Sequence, residues 1–358
     1  MRVDPPLHPP LHPQGHSIMK AIGYRKPLPV ADADSLIDTV VDTPVPTGRD
    51  LLVRIGAVSV NPVDVKLRGG VAPAEGALRV LGFDAAGTVE AVGPEATLFR
   101  PGDAVFYAGA IDRPGTNSEF HLVDERIVGP KPSSLGIAEA AALPLTAITA
   151  WEMLFDRLGL RRGRENGGED GRALLIVGGA GGVGSIAIQL ARRLTGVRVI
   201  ATASRPETAA WVRELGAHDV IDHSGGIAEQ IRALGLNGVE YVFSTNATDR
   251  HFPALADIIA PQGRIGLIDD PASIDVRLLK RKSVSLHWEL MFTRSLFQTA
   301  DVAAQHALLA EVSRLVDDGT LRTTLTEVLG RIDAATLRRA HALIETGQAR
   351  GKIVLAGF

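Results

Sequence analysis

The stretch Val177-Gly178-Gly179-Ala180-Gly181-Gly182-Val183-Gly184 carries the most specific chemistry in this chain. Gly179, Gly181 and Gly184 fit the spacing G-x-G-x-x-G. In that pattern Gly179 permits a tight turn and Gly181 lets the backbone approach a pyrophosphate. Gly184 lets the following helix pack close to the strand, so that the N–H groups of Gly182, Val183 and Gly184 can meet a phosphate. The spacing alone is common, and the context is what gives it weight. It follows the continuous apolar run Ala173–Val177 and opens the amphipathic run Ser185–Ala191. A ligand-free flexible loop is the competing reading, and it leaves that context unexplained.

A second strand ends in Ala201-Thr202-Ala203-Ser204-Arg205. A dinucleotide without a 2′-phosphate usually meets an acid about 20 residues beyond the glycines. Here Ser204 and Arg205 stand in that place. A hydroxyl and a guanidinium suit a 2′-phosphate, which Arg can grip with two bonds, so the expected cofactor is NADPH. The competing reading makes Arg205 an ordinary solvated residue at a helix start.

The elements that must position these residues fall into two rhythms. From about Leu51 to Val128 short strands alternate with Gly and Pro turns, which reads as a β-rich domain. From Ala173 the runs Ala173–Val177, Arg198–Thr202, Val239–Phe243 and Arg264–Ile268 alternate with helical segments, the pattern of a doubly wound α/β parallel sheet. Helices near Ala303–Asp317 and Ala334–Thr346 and a strand at Lys352–Leu355 close the chain. Residues 1–18, rich in Pro and His, read as a disordered tail. His8, His12 and His16 are spaced four apart, but the prolines between them forbid the helix that would make a metal-binding face.

Composition narrows the function. With 38 Lys and Arg against 41 Asp and Glu, the formal charge is −3 and offers no basic field for nucleic acid. The chain has no cysteine, which removes disulfides, thiolate nucleophiles and Cys-ligated zinc. The apolar runs look strand-sized, short of the roughly 20 residues of a membrane span. No signal-peptide pattern opens the sequence, so a cytoplasmic location is expected.

Several ordered motifs make the chain resemble the medium-chain dehydrogenase/reductase superfamily, in its quinone oxidoreductase branch and zinc-type alcohol dehydrogenase-like subgroup. They are Asn61-Pro62-Val63-Asp64-Val65-Lys66, Leu81–Gly87, Ala142–Ala147, the glycine turn, Leu215-Gly216-Ala217, His287–Phe292 and Gly351–Leu355. The resemblance implies a Rossmann domain, residues 144–291, inserted into a β-rich GroES-like catalytic domain, residues 19–143 and 292–358, with the active site in the cleft between them. It aligns the zinc ligands of metal-dependent members with Asn61, Phe83 and, nearby, Leu145, so no metal is expected. Asp64 and Asp84 read as structural carboxylates. The resemblance also places Asn61 and Thr146 in the nicotinamide pocket and Lys66 where an ammonium could meet a developing enolate oxygen; a surface lysine is the alternative. Without a Lewis acid, hydride needs an activated acceptor, so an enone, quinone or related carbonyl is the expected substrate. The rival readings are a zinc-dependent alcohol dehydrogenase and an NADPH-binding protein without turnover. Arg281–Trp288 reads as the last strand of the cofactor sheet, an edge suited to homodimer pairing.

Overall fold

The computed structural model describes residues 17–163 and 171–358. The expected tail lies outside the described residues except for Ser17 and Ile18, and Ile18 already belongs to a strand. The three tail histidines lie outside them as well.

The chain divides into two compact units: residues 1–145, 292–317 and 325–358, and residues 146–291 with 318–324. The first unit opens with β1 (Ile18–Tyr24), β2 (Ile37–Asp42), β3 (Asp50–Ser59), α1 (Pro62–Gly70), β4 (Arg79–Val80), β5 (Ala85–Val92), β6 (Ala104–Tyr107), β7 (Phe120–Asp124), β8 (Val128–Pro130) and α2 (Ile137–Ala141). α3 (Pro144–Trp151) leads into the second unit. There the order is β9 (Ala173–Val177), α4 (Gly182–Leu194), β10 (Arg198–Thr202), α5 (Pro206–Glu214), β11 (Asp219–Ile221), α6 (Ile227–Ala233), β12 (Val239–Ser244), α7 (Thr248–Ile258), β13 (Ile259–Leu267) and β14 (Ser285–Trp288). The chain then returns to the first unit through α8 (Thr293–Phe297), α9 (Ala304–Asp317), β15 (Leu325–Gly330), α10 (Ala334–Glu345) and β16 (Lys352–Ala356).

In the first unit β1 pairs with β2 and β4, while a larger sheet runs β15-β16-β3-β5-β6-β8, with β7 also on β3. β16 is antiparallel to β3, with Val354 opposite Ser59. This register brings the end of the chain to the strand that leads into α1.

In the second unit six strands lie in the order β11-β10-β9-β12-β13-β14, every pairing parallel. β9 is buried along its whole length, as a strand covered on both faces must be. The chain steps outward from β9 to β10 and β11, then returns to the other side at β12. The strand order therefore reverses between β9 and β12, and in such sheets the crevice at the carboxyl ends beside that point takes the ligand.

Two expectations need correction. The apolar runs are not all strand-sized: the 21-residue segment Ile137–Arg157 is long and apolar enough to cross a membrane, but 83% of its most apolar window is buried, as in a core helix. The last strand begins at Ser285 and not at Arg281. Arg281 and Lys282 close a 3₁₀ helix, Val276–Lys282, and Ser283 at φ 52° turns the chain before the strand starts. The Lys282 ammonium donates to the carbonyls of Ala256 (3.1 Å) and Ile259 (2.9 Å), where it complements the negative end of α7.

Candidate functional site

Asn61 ends the extended run from β3 and caps α1, whose first residue is Pro62. Pro suits that position because its missing N–H has no intrahelical acceptor and its φ is preset for helix. Asp64, three residues into the motif, accepts from the Asn61 N–H at 2.8 Å. Its other oxygen accepts from the Gly82 N–H at 3.0 Å. One buried carboxylate thus fixes both the start of α1 and the Gly82 turn, at φ 107°.

Asn61, Asp84 next to Phe83, and the Leu145 N–H converge, and the group among them is an ammonium. Asp84, fully buried, accepts from the Leu145 N–H at 2.8 Å and from the Asn61 side-chain amide at 3.0 Å. Lys352 Nζ, on a residue only 3% exposed, lies 3.0 Å from Asp84 Oδ2. It also donates to the Val60 carbonyl at 3.1 Å and to Asn61 Oδ1. The Asn61 amide gives its remaining hydrogen to the Ser59 carbonyl at 3.3 Å. Phe83 is buried and sets its ring edge-to-face on Phe292, 5.3 Å between centroids.

Burial pushes the Asp64 carboxyl up to about 7, although backbone donors and Lys352 favour its charge. Burial raises Asp84 too, opposed chiefly by the Lys352 ammonium. Among the described residues no group of three or more His, Cys, Asp or Glu could hold a metal. The donor set does not fit zinc: neither Phe83 nor Leu145 offers a ligand side chain, and a buried ammonium would repel a dication.

Lys66 is exposed on α1. Thr146 is buried on α3, in the second unit.

The glycine turn joins β9 to α4 as the spacing demands. A Cβ on Gly184 would lie 2.4 Å from the Gly178 carbonyl oxygen and 2.7 Å from Gly179 Cα. On Gly179 it would meet Ala201 Cβ at 2.9 Å. Gly181 differs: its Cβ would meet only the Gly178 oxygen, at 3.5 Å. Its bareness therefore serves no internal packing and leaves open room in front of the helix end. Gly181 is the N-cap of α4, and the N–H groups of Gly182, Val183 and Gly184 follow in the first turn, where no intrahelical acceptor exists. Room for an anion and donors to hold it are thus present together.

Arg205 caps α5, its N–H donating to Thr208 Oγ1 at 3.2 Å, while its guanidinium pairs with Glu207 at 3.2 Å. Ser204 is exposed beside it. Two further side chains reach this end of β10 without having been anticipated. Thr202 Oγ1 accepts from the Gly178 N–H at 3.0 Å, and His223 Nδ1 lies 3.1 Å from the same hydroxyl.

A dinucleotide cradle at the reversal point of a parallel sheet, in a chain that also carries a β-rich unit, defines an oxidoreductase of the dehydrogenase/reductase type. Comparison with known proteins agrees. Residues 47–144 match the alcohol dehydrogenase GroES-like domain, and residues 182–306 match the zinc-binding dehydrogenase family. A zinc-type alcohol dehydrogenase-like protein of Staphylococcus epidermidis is 38% identical over 94% of this chain and 99% of its own. A Rhizobium etli crystal structure, of a protein assigned to the zinc-dependent alcohol dehydrogenases, is 60% identical with TM-score 0.92, covering 96% of this chain and 99% of that one. A Coxiella burnetii quinone oxidoreductase is 26% identical (TM-score 0.77, 96% and 100% covered). A mycobacterial protein complexed with NADPH is 27% identical (TM-score 0.79, 95% and 100% covered). The chain belongs to the medium-chain dehydrogenase/reductase superfamily, in its quinone oxidoreductase-like branch.

The Lys352–Asp84 pair yields a stability prediction. Lys352→Met strands a buried carboxylate and is expected to cost about 3–5 kcal/mol in denaturant unfolding. Adding Asp84→Asn removes that charge and should recover most of the loss. Additive costs in the double variant would contradict the coupling.

Proposed function

We propose that this protein is an NADPH-dependent, zinc-independent reductase of enones, quinones or related activated carbonyls. The observation that supports the reading is the Lys352 ammonium held by Asn61 and Asp84, beside positions that the resemblance aligns with zinc ligands, Asn61, Phe83 and Leu145. With no metal to polarise an alcohol or simple ketone, the acceptor must stabilise its own developing charge. A conjugated carbonyl does so by spreading charge onto oxygen.

Bound NADPH would supply the hydride. The first-turn N–H groups of α4 would hold its pyrophosphate in the room that Gly181 leaves. Ser204 and Arg205 would hold the 2′-phosphate, with Arg205 exchanging its exposed Glu207 pairing for a bidentate one. Asn61, its amide locked by Asp84 and Lys352, and Thr146 would line the nicotinamide pocket. Lys66 would donate a hydrogen bond or proton to the enolate oxygen. The quinone oxidoreductase and NADPH-bound relatives support both halves of the reading.

We further propose a homodimer paired along β14. That strand ends the sheet, and Trp288 is 53% exposed on it. An unpaired edge of this kind joins well to its own copy across a two-fold axis.

A panel of enones, quinones, aldehydes and ketones, assayed by NADPH absorbance, tests the activity. Turnover is expected with the conjugated acceptors, and NADPH binding without oxidation of any member would overturn the enzyme reading. NADPH should bind at least about tenfold more tightly than NADH, a difference of about 1.4 kcal/mol. Arg205→Ala should shrink that preference, and equal wild-type affinities would contradict it. Sedimentation at micromolar concentration should give a species of twice the 37.9 kDa chain mass; a single species at the chain mass would exclude the dimer.

A further inference from the structure

His223 lies outside every motif considered above, yet the sheet carries it to the place assigned to the cofactor's 2′-phosphate. β10 and β11 are parallel neighbours with Thr202 opposite Ile221, and the Ala203 N–H donates to the Ile221 carbonyl at 2.9 Å. Ser204 and His223 each follow that register point by two residues, beyond the carboxyl ends of β10 and β11. His223 Nδ1 is 3.1 Å from Thr202 Oγ1, and that hydroxyl accepts from the Gly178 N–H of the glycine turn.

The hydroxyl suits either charge state of the ring. It can donate to Nδ1 of a neutral imidazole, or accept from Nδ1–H of an imidazolium through its second lone pair. In both states Nε2 carries a hydrogen. Protonation therefore adds charge without disturbing the anchor.

We propose that His223 is a third recognition group for the 2′-phosphate, beside Ser204 and Arg205, and that binding of NADPH draws a proton onto its ring. This rests on the NADPH reading above. The groups facing the ring are Asp222 on its own loop and Arg250 and His251 on α7, the His251 ring lying edge-on at 6.0 Å. Asp249 and Asp269 act on His251 in turn, and Arg205 and Glu207 flank the phosphate position from α5. Asp222 is itself tied to Ser224, by its N–H at 2.8 Å and its hydroxyl at 2.7 Å.

Partial burial, helped by the Arg250 charge and opposed by Asp222, lowers the His223 pKa and favours the neutral ring without ligand. A phosphate dianion beside it favours the charged form and raises its pKa in the complex. The sign follows from linkage. A group whose pKa rises on binding strengthens binding as pH falls toward the free-state value, and the gain fades above the bound-state value. NADH lacks the 2′-phosphate and has no such gain.

The test measures Kd for NADPH and NADH by intrinsic fluorescence from pH 6 to pH 8, in the wild type, His223→Gln, His223→Phe and His251→Gln. The wild-type preference for NADPH should grow about threefold as pH falls from 8 to about 6.5, part of the tenfold that one shifted pKa unit gives in full, before the 2′-phosphate itself takes up a proton. Both His223 variants should lose this slope, and His251→Gln should keep it. Calorimetry near pH 7 in buffers of different ionisation heat should show proton uptake with NADPH and not with NADH. The phenyl ring of His223→Phe preserves packing, so a wild-type slope in that variant would reduce His223 to a packing role and overturn the proposal. A slope lost only in His251→Gln would overturn it as well. A preference for NADPH that ignores pH refutes this inference alone. No preference for NADPH at any pH refutes it together with the cofactor reading.

Discussion

A lysine ammonium and an aspartate carboxylate, both withdrawn from water, hold the first unit together at its functional end. Lys352 opens β16, and Asp84 stands just before β5. Their 3.0 Å contact also engages Asn61, at the start of α1, and through Asp84 the N–H of Leu145 at the start of α3. Four distant chain segments thus meet at one pair of charges. Neither charge could be buried alone, because an unpaired ion in such surroundings costs several kcal/mol. The pair therefore makes the arrangement all or nothing: the closing strand, the start of α1 and the start of α3 come together or leave a charge stranded.

The same arrangement bears on the chemistry. A catalytic zinc would need ligand side chains and open coordination at this place. Here the cation is a side chain whose hydrogens are committed to Val60, Asn61 and Asp84. It fixes Asn61 firmly but has little left to give a substrate. Under the proposed function the protein would contribute position: an amide held by Asp84 and Lys352, the edge-to-face pair of Phe83 and Phe292, and the first-turn N–H groups of α4.

Much of this was legible in the sequence, for physical reasons that differ by element. The glycine turn could be read because close approach leaves no room for a side chain at Gly179 and Gly184, but the left-handed turn expected at Gly179 falls on Gly178, at φ 77°. The strand runs were visible because burial on both faces leaves no polar residue to interrupt them. Asp64 could be read as structural because Asn-Pro-x-Asp is a helix start with its cap and third-position acceptor in place. The Lys352–Asn61 contact was not legible: 291 positions separate them, and no local rule links them. A lysine heading the apolar run Ile353–Leu355 was the one available signal, since burying an ammonium demands a carboxylate nearby. His223 was missed likewise, because its role follows from the register of β11 on β10. At Arg281-Lys282 the local pattern misled: the alternation of Val284, Leu286 and Trp288 was extended back into a charged pair that closes a 3₁₀ helix.

The proposed function has Lys352, rather than a metal, as the cation beside Asn61. Metal analysis of the purified protein, with NADPH oxidation measured before and after exhaustive chelation, tests it most directly. The account predicts well under one zinc per chain and an activity unchanged by EDTA. Zinc at one per chain, removed by EDTA together with activity and restored with it on adding zinc back, would contradict it.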